Sequence, residues 1–115
     1  MVYILEAHPV DAWQDDDNAK DKVSVASAKT LDQRCEVAGT CVTKLSIKIP
    51  PLIDDLENST EEAYTAWPDR LYVIDYAGTI AYKSKPGPYG FKPDEVAATL
   101  KHLLPAVPTR VSQAQ

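Results

Sequence analysis

The sequence predicts a small α/β protein, and three stretches carry that prediction. Leu71–Asp75 and Thr79–Lys83 are rich in β-branched and aromatic residues, and a three-residue loop ending in Gly78 separates them. Glycine fits the left-handed position of such a loop, so the pair predicts a β-hairpin. Helical spacing of apolar residues follows Pro93. At the other end, the short apolar run Val2–Leu5 is typical of a buried parallel strand.

Length and charge limit the kinds of protein that this chain can be. Its 115 residues are enough for one small domain with a modest core, and we expect that domain over residues 1–105 with a flexible tail over 106–115. A net charge of −5 without a basic patch disfavours nucleic acid as a partner. No apolar run approaches the ~20 residues that span a bilayer. We therefore expect a soluble, cytoplasmic protein with no membrane partner.

The middle of the chain shows two helix starts and one alternating stretch. Thr30 with Gln33, and Ser59 with Glu62, are capping-box patterns, each opening a helix. The alternation of apolar and polar residues over 44–49 predicts a half-exposed strand. The first helix is expected to bury a stripe of Leu31, Cys35, Ala38 and Val42, and the second to carry Ala63, Tyr64 and Trp67.

Polar residues begin where the first strand is expected to stop. Glu6 and His8 are two positions apart, so along a strand they would project on the same side of its carboxyl end. Open α/β sheets bind ligands at that end. A carboxylate beside an imidazole suits proton delivery near neutral pH. The simpler interpretation is a strand-end cap and loop anchor.

Two further residues are candidates for ligand contact. We expect Trp13 to lie over the rim of the sheet, with stacking on a substrate as the alternative. Arg70 is expected near the same rim, where it could pair with a carboxylate such as Glu6 or contact an acidic ligand, unless it is an ordinary surface arginine.

Neither the acidic runs nor the cysteines predict a bound metal or cofactor. The run 15–17 lacks a calcium-loop frame, and Asp54, Asp55 and Glu57 have no His or Cys nearby in sequence, so loop solvation and helix N-terminal charge are expected. Cys35 and Cys41 are not spaced as Cys-x-x-Cys and would lie about 120° apart on a helix. We expect buried thiols, although a helix break at Gly39 would leave a disulfide possible.

Four segments resemble one protein family. Tyr-Ile-Leu-Glu-Ala-His at 3–8, Trp-Pro-Asp-Arg-Leu-Tyr-Val-Ile-Asp at 67–75, Gly-Thr-Ile-Ala-Tyr at 78–82 and Gly-Pro-Tyr-Gly-Phe at 87–91 resemble the iodothyronine deiodinases, in particular their bacterial members. The resemblance implies a thioredoxin-like fold and reductive removal of iodine by a selenocysteine or cysteine. It also implies that Glu6 and His8 act in substrate contact and proton transfer.

The family's nucleophile lies upstream of the segment that matches residues 2–8. We therefore expect an incomplete thioredoxin-like fold, without the central N-terminal strand and its redox helix, as a three-layer α/β/α structure or a remodelled sheet. The usual cis-proline position falls on Asp69, with Pro68 one residue earlier.

Two functions follow as expectations. One is a deiodinase-like protein that lacks redox catalysis on its own, and the other is a non-catalytic module for phenolic ligands or for assembly. A sheet without its middle strand would expose unpaired backbone, so a homodimer whose interface includes Val2–Leu5 is expected.

Overall fold

The computed structural model describes residues 1–12, 16, 20 and 24–105, and it has the predicted α/β class. The chain forms two compact units, Met1–Pro68 and Asp69–Gln115. The expectation of one domain over 1–105 stays a prediction. Trp13 and the predicted tail at 106–115 lie outside the described residues.

The first unit begins with a short parallel pair of strands. Strand β1 (Val2–Tyr3) pairs with β2 (Leu52–Ile53), with Val2 opposite Leu52 and Tyr3 opposite Ile53. The Leu52 N–H donates to the Met1 carbonyl at 2.8 Å, and the Asp54 N–H donates to the Tyr3 carbonyl at 2.9 Å. The parallel strand predicted over Val2–Leu5 therefore forms, but its ladder ends at Tyr3.

Helix α1 (Leu31–Lys44) starts at the predicted cap and packs against β2. The Thr30 hydroxyl oxygen accepts the Gln33 N–H at 3.1 Å, as expected for an N-cap. The buried stripe differs from the predicted one: Arg34 and Ala38 are buried, whereas Leu31 and Cys35 are exposed. The apolar pattern of the sequence could not show that a charged residue, Arg34, lies on the buried face of α1.

The strand predicted over 44–49 is wrong. Helix α1 continues to Lys44, and the next three N–H groups turn back to helix carbonyls: Leu45 to Cys41, Ser46 to Thr43 and Ile47 to Val42. Backbone donors used at the helix end are not available for a sheet ladder. The apolar alternation therefore describes a turn with exposed side chains and not a strand.

Helix α2 (Ser59–Tyr64) is capped differently from the prediction. Asn58, in the left-handed region with φ 59°, stands at the N-cap, and Ser59 is the first helical residue. The Ser59 hydroxyl donates to Asp55 Oδ2 at 2.6 Å and so does not close the expected capping box with Glu62. Trp67 lies beyond the helix, before a cis peptide bond to Pro68.

The second unit contains the predicted hairpin and last helix. Strand β3 (Tyr72–Ile74) pairs antiparallel with β4 (Ile80–Lys83), and Gly78 has φ 83° in the connecting loop. Helix α3 (Pro93–Leu103) packs against both strands, where Val73 is buried. Tyr82 donates its hydroxyl to Glu95 of α3 at 2.7 Å.

Candidate ligand-binding site in the first unit

A cavity of about 400 Å³ lies in the first unit. Its walls come from the loop after β1, from α1 and from the segments on either side of α2. Residues on these walls include Leu5, Glu6, His8, Arg34, Leu56, Asn58 and Trp67. Sites for small ligands start at about 300 Å³, so the cavity can hold a single substituted aromatic ring.

Glu6 lies on this cavity, but it is not the exposed rim carboxylate expected from the sequence. The strand ends at Tyr3, so the alternation argument does not apply, and Glu6 turns inward with only 8% of its surface exposed. Its Oε1 lies 3.6 Å from Nε of Arg34, and its Oε2 accepts the Ala28 N–H at 3.4 Å. Among the described residues of the first unit, its ion-pair partner is Arg34.

Arg34 is the residue of this site that the sequence analysis missed. It is 3% exposed, and besides Glu6 it contacts the main chain after β2. Its Nη1 donates to the carbonyl of Asp54 at 3.4 Å and to that of Asp55. A buried guanidinium needs such a set of partners, because burying it alone costs several kcal/mol. The sequence signal that could have found Arg34 is its spacing: it lies four positions before Ala38, so both residues fall on one stripe of the helix.

His8 and Trp67 meet on the same cavity. Their ring centroids lie 6.2 Å apart with an interplanar angle of 62°, an edge-to-face arrangement. His8 has φ 54°, in the left-handed region that is uncommon for a residue other than glycine. The backbone and the indole together hold the imidazole against the cavity. An imidazole can both donate and accept a proton, so His8 is a candidate acid–base group at the site.

Asp54 anchors the segment that carries the far wall. Oδ1 accepts the N–H groups of Asp55 and Thr60, and Oδ2 accepts that of Glu61. Burial acts to raise the pKa of Asp54, but the N–H donors of Glu61 and Thr60 outweigh it and lower the pKa. The helix N-terminal charge predicted here is therefore real, whereas solvation of Asp54 is wrong, since it is 2% exposed.

A second cavity of about 800 Å³ adjoins α1 and includes Tyr3 and Cys41 on its walls. Burial and the nearby Glu6 carboxylate raise the pKa of Tyr3 to about 12. Cys35 and Cys41 are free thiols, as predicted, but Cys35 is exposed and Cys41 is only half-buried. Glu6 and His8 line this second cavity too and share it with Cys41, whereas neither cysteine lines the first cavity, which Trp67 borders.

Two predicted ligand-contact residues, Arg70 and Trp13, are not among the described residues of the first unit. Arg70 lies in the second unit, half-buried, and its Nε is buried without a hydrogen-bond partner among the described residues. Trp13 lies outside them. A role for either in ligand contact stays a prediction. Over the same described ranges, no group of three His, Cys, Asp or Glu side chains is placed to hold a metal ion.

The fold and this site define an α/β protein with a small cavity that a histidine and a tryptophan border. The profile of one family, described as iodothyronine deiodinase, matches residues 1–104. The chain is 34% identical over 101 residues to a type I iodothyronine deiodinase of Xenopus laevis. It is 33% identical to the thyroxine 5-deiodinases of Bos taurus and Gallus gallus, over 101 and 100 residues. The chain therefore belongs to the iodothyronine deiodinase family.

These matches correct one expectation, leave another without support, and cover only part of each relative. The relatives come from frog, cattle and chicken, so the expected likeness to bacterial members is wrong. Nothing in these matches supports the expected cytoplasmic location. The matches cover 88%, 88% and 87% of this chain but 38%, 32% and 37% of the relatives, so the chain spans about a third of their length. None of the helices in the described part is long and apolar enough to cross a membrane.

Proposed function

We propose that this chain is the substrate-side part of a deiodinase-type protein with a thioredoxin-like fold, and that the cavity at His8 and Trp67 binds an iodinated phenol ring. The observation that carries the proposal is that Glu6, His8 and Trp67 meet on one cavity of aromatic size. The parallel pair β1–β2, and the antiparallel hairpin β3–β4 followed by α3, support the thioredoxin-like assignment.

In this proposal His8 delivers the proton. Reductive deiodination replaces a carbon–iodine bond by a carbon–hydrogen bond, which takes one proton and two electrons and releases iodide. The imidazole is held at the cavity by Trp67, where it can protonate the ring carbon that loses iodine. Glu6 supports this arrangement from the buried side through its pair with Arg34.

The electrons come from a thiol or selenol other than the cysteines of this chain. Cys35 is exposed on α1 and lines neither cavity. Cys41 lines the second cavity with His8 but not the cavity that His8 shares with Trp67, where we place the ligand. We therefore propose that the chain by itself binds ligand without turnover. Thiol-dependent iodide release that survives replacement of both cysteines by serine would contradict this part of the proposal.

Tryptophan fluorescence tests the binding proposal. The chain has two tryptophans, so Trp13→Phe leaves Trp67 as the single reporter. Titration with a phenol that carries iodine at both ortho positions (ortho-diiodophenol) should change Trp67 emission in a saturable way. Plain phenol should bind more weakly because it buries less apolar surface. His8→Ala should weaken ortho-diiodophenol binding about tenfold, or ~1.4 kcal/mol.

His102 provides the matched control for that substitution. It lies on α3 with an exposed side chain, and His102→Ala should leave the affinity unchanged. No saturable signal with ortho-diiodophenol in either the parent chain or Trp13→Phe, or equal effects of the two histidine substitutions, would contradict binding at His8.

We infer self-association as a second role, because the short β1–β2 sheet is not covered on all sides. Leu52 of β2 is 66% exposed, and Val2 opposite it is also exposed. Pairing of two copies through this sheet would bury both residues. Sedimentation at micromolar concentration should show a dimer that Leu52→Asp disrupts and that Leu31→Asp, on an exposed position of α1, leaves intact. A folded monomer in the parent chain would contradict this role.

A further inference from the structure

Arg34 contacts both walls of the cavity at once. From α1 its Nε lies 3.6 Å from Glu6 Oε1, on the wall that follows β1. Its Nη1 donates to the carbonyls of Asp54 and Asp55, which precede α2 on the opposite wall. Nε and Nη1 are held in one rigid plane by the guanidinium, so the two sets of contacts are geometrically coupled.

Each contact of Arg34 is connected through a few residues to one of the two rings, His8 or Trp67. On the first wall, Glu6 lies two residues before His8. On the second, the Asp54 carboxylate accepts the Glu61 N–H at 2.9 Å. Glu61 in turn accepts the Ala66 N–H at its carbonyl, at 3.0 Å, and the Trp67 N–H at its carboxylate, at 3.3 Å. A series of contacts therefore connects each ring to one nitrogen of the Arg34 guanidinium.

We propose that Arg34 is a positioning residue that sets the separation of His8 and Trp67 and thereby the shape of the cavity for its ligand. This rests on the proposed function in so far as the ligand is an iodinated phenol. Arg34 does not touch the ligand in this role. It acts through Glu6 on one side and through the turn before α2 on the other.

Arg34→Lys is the sharpest test. Lysine keeps the positive charge near Glu6 but has one ammonium in place of the planar fork, so it cannot hold both walls in the same way. In the Trp13→Phe background, nuclear magnetic resonance reports the His8 imidazole protons, which the Trp67 ring current shifts. The lysine variant should keep a cooperative thermal transition, move these resonances toward their values in an unfolded peptide, and bind ortho-diiodophenol about tenfold more weakly.

Ala38→Gly is the matched control. Ala38 lies on the same helical stripe and is 1% exposed, but it lines neither cavity. Glycine in a helix interior lowers stability without touching Glu6 or Asp54. We expect a lower melting temperature with unchanged His8 resonances and unchanged affinity. If the lysine variant keeps the parent His8 resonances, or if affinity merely follows melting temperature in both variants, the positioning role is overturned.

A double variant keeps the test decisive if Arg34→Lys does not fold. Combining Glu6→Leu with Arg34→Met replaces the buried ion pair by apolar side chains, an exchange that proteins often tolerate. Displaced His8 resonances in this folded variant support the proposal, and parent-like resonances overturn it. The resonances are measured without ligand, so they decide the role of Arg34 even if ortho-diiodophenol fails to bind the parent, which would defeat the proposed function instead.

Discussion

Asp54→Asn removes one buried charge while keeping nearly the same shape. In the parent, both carboxylate oxygens are used: Oδ1 accepts the N–H groups of Asp55 and Thr60, and Oδ2 accepts that of Glu61, all at 2.9 to 3.0 Å. Asparagine can keep the first two bonds through its carbonyl oxygen. Its amide nitrogen then faces the Glu61 N–H, so one acceptor becomes a donor and the third bond is lost.

The expected loss follows from that single bond and the missing charge. A hydrogen bond to a charged group contributes about 1.5–3 kcal/mol, and a buried donor left unsatisfied adds a cost of similar size. We expect Asp54→Asn to lower the free energy of unfolding by about 2–3 kcal/mol. At about 3–6 °C per kcal/mol for a chain of this size, the melting temperature should fall by roughly 6–18 °C.

The same substitution should change how the free energy of unfolding depends on pH under acidic conditions. Because the pKa of Asp54 is lowered from its ordinary value of 3.8 in the folded state, its carboxylate contributes stability that is complete above that value. This contribution is lost as the pH falls from 3.8 through the folded pKa. Asp54→Asn has no such group, so its unfolding free energy should vary less than that of the parent below about pH 5.

Chemical denaturation followed by circular dichroism measures both effects, with Asp55→Asn as the neighbouring control. Asp55 is exposed, and its carboxylate accepts the Ser59 N–H at 2.9 Å and the Ser59 hydroxyl at 2.6 Å. Its substitution should lower stability less than Asp54→Asn does, since water can replace these partners. Equal losses at the two positions, or an unchanged dependence of the unfolding free energy on acidic pH in Asp54→Asn, would refute the assignment of Asp54 as the buried cap of α2.

Three further outcomes are expected. The hydroxyl of Tyr3 should ionise at about pH 12 in an ultraviolet titration, and Tyr3→Phe should remove this ionisation from the titration curve. The contribution of Tyr3 to stability should be complete below the ordinary pKa of 10.0 and should fall as the pH rises above it. Gly39→Ala should stabilise the protein by about 1 kcal/mol, because a Cβ there meets nothing within 4 Å. Gly90→Ala should destabilise it, because its Cβ would collide with the Lys85 carbonyl group, and comparison of the two melting temperatures checks this pair. A disulfide-exchange reagent should find two thiols, the exposed Cys35 reacting faster than Cys41 in single-serine variants.

Elements defined by local chemistry could be predicted from the sequence. The hairpin needs only two β-prone runs and Gly78, α1 needs the Thr30 cap, and α3 needs Pro93 in its first turn. These signals act between residues that are close along the chain. The family likewise follows from the sequence, since its motifs are contiguous and its profile spans residues 1–104.

The tertiary structure decided which polar groups are buried and what they contact. Alternation over 44–49 is a local pattern, but whether it forms a strand depends on a partner elsewhere, and β1 pairs with Leu52–Ile53 instead. Arg34 became a core residue because Glu6 and the carbonyls of Asp54 and Asp55, distant in sequence, converge on its guanidinium. Burial of a charge is favourable only when its partners are in place, and that condition is set by the three-dimensional arrangement of the chain.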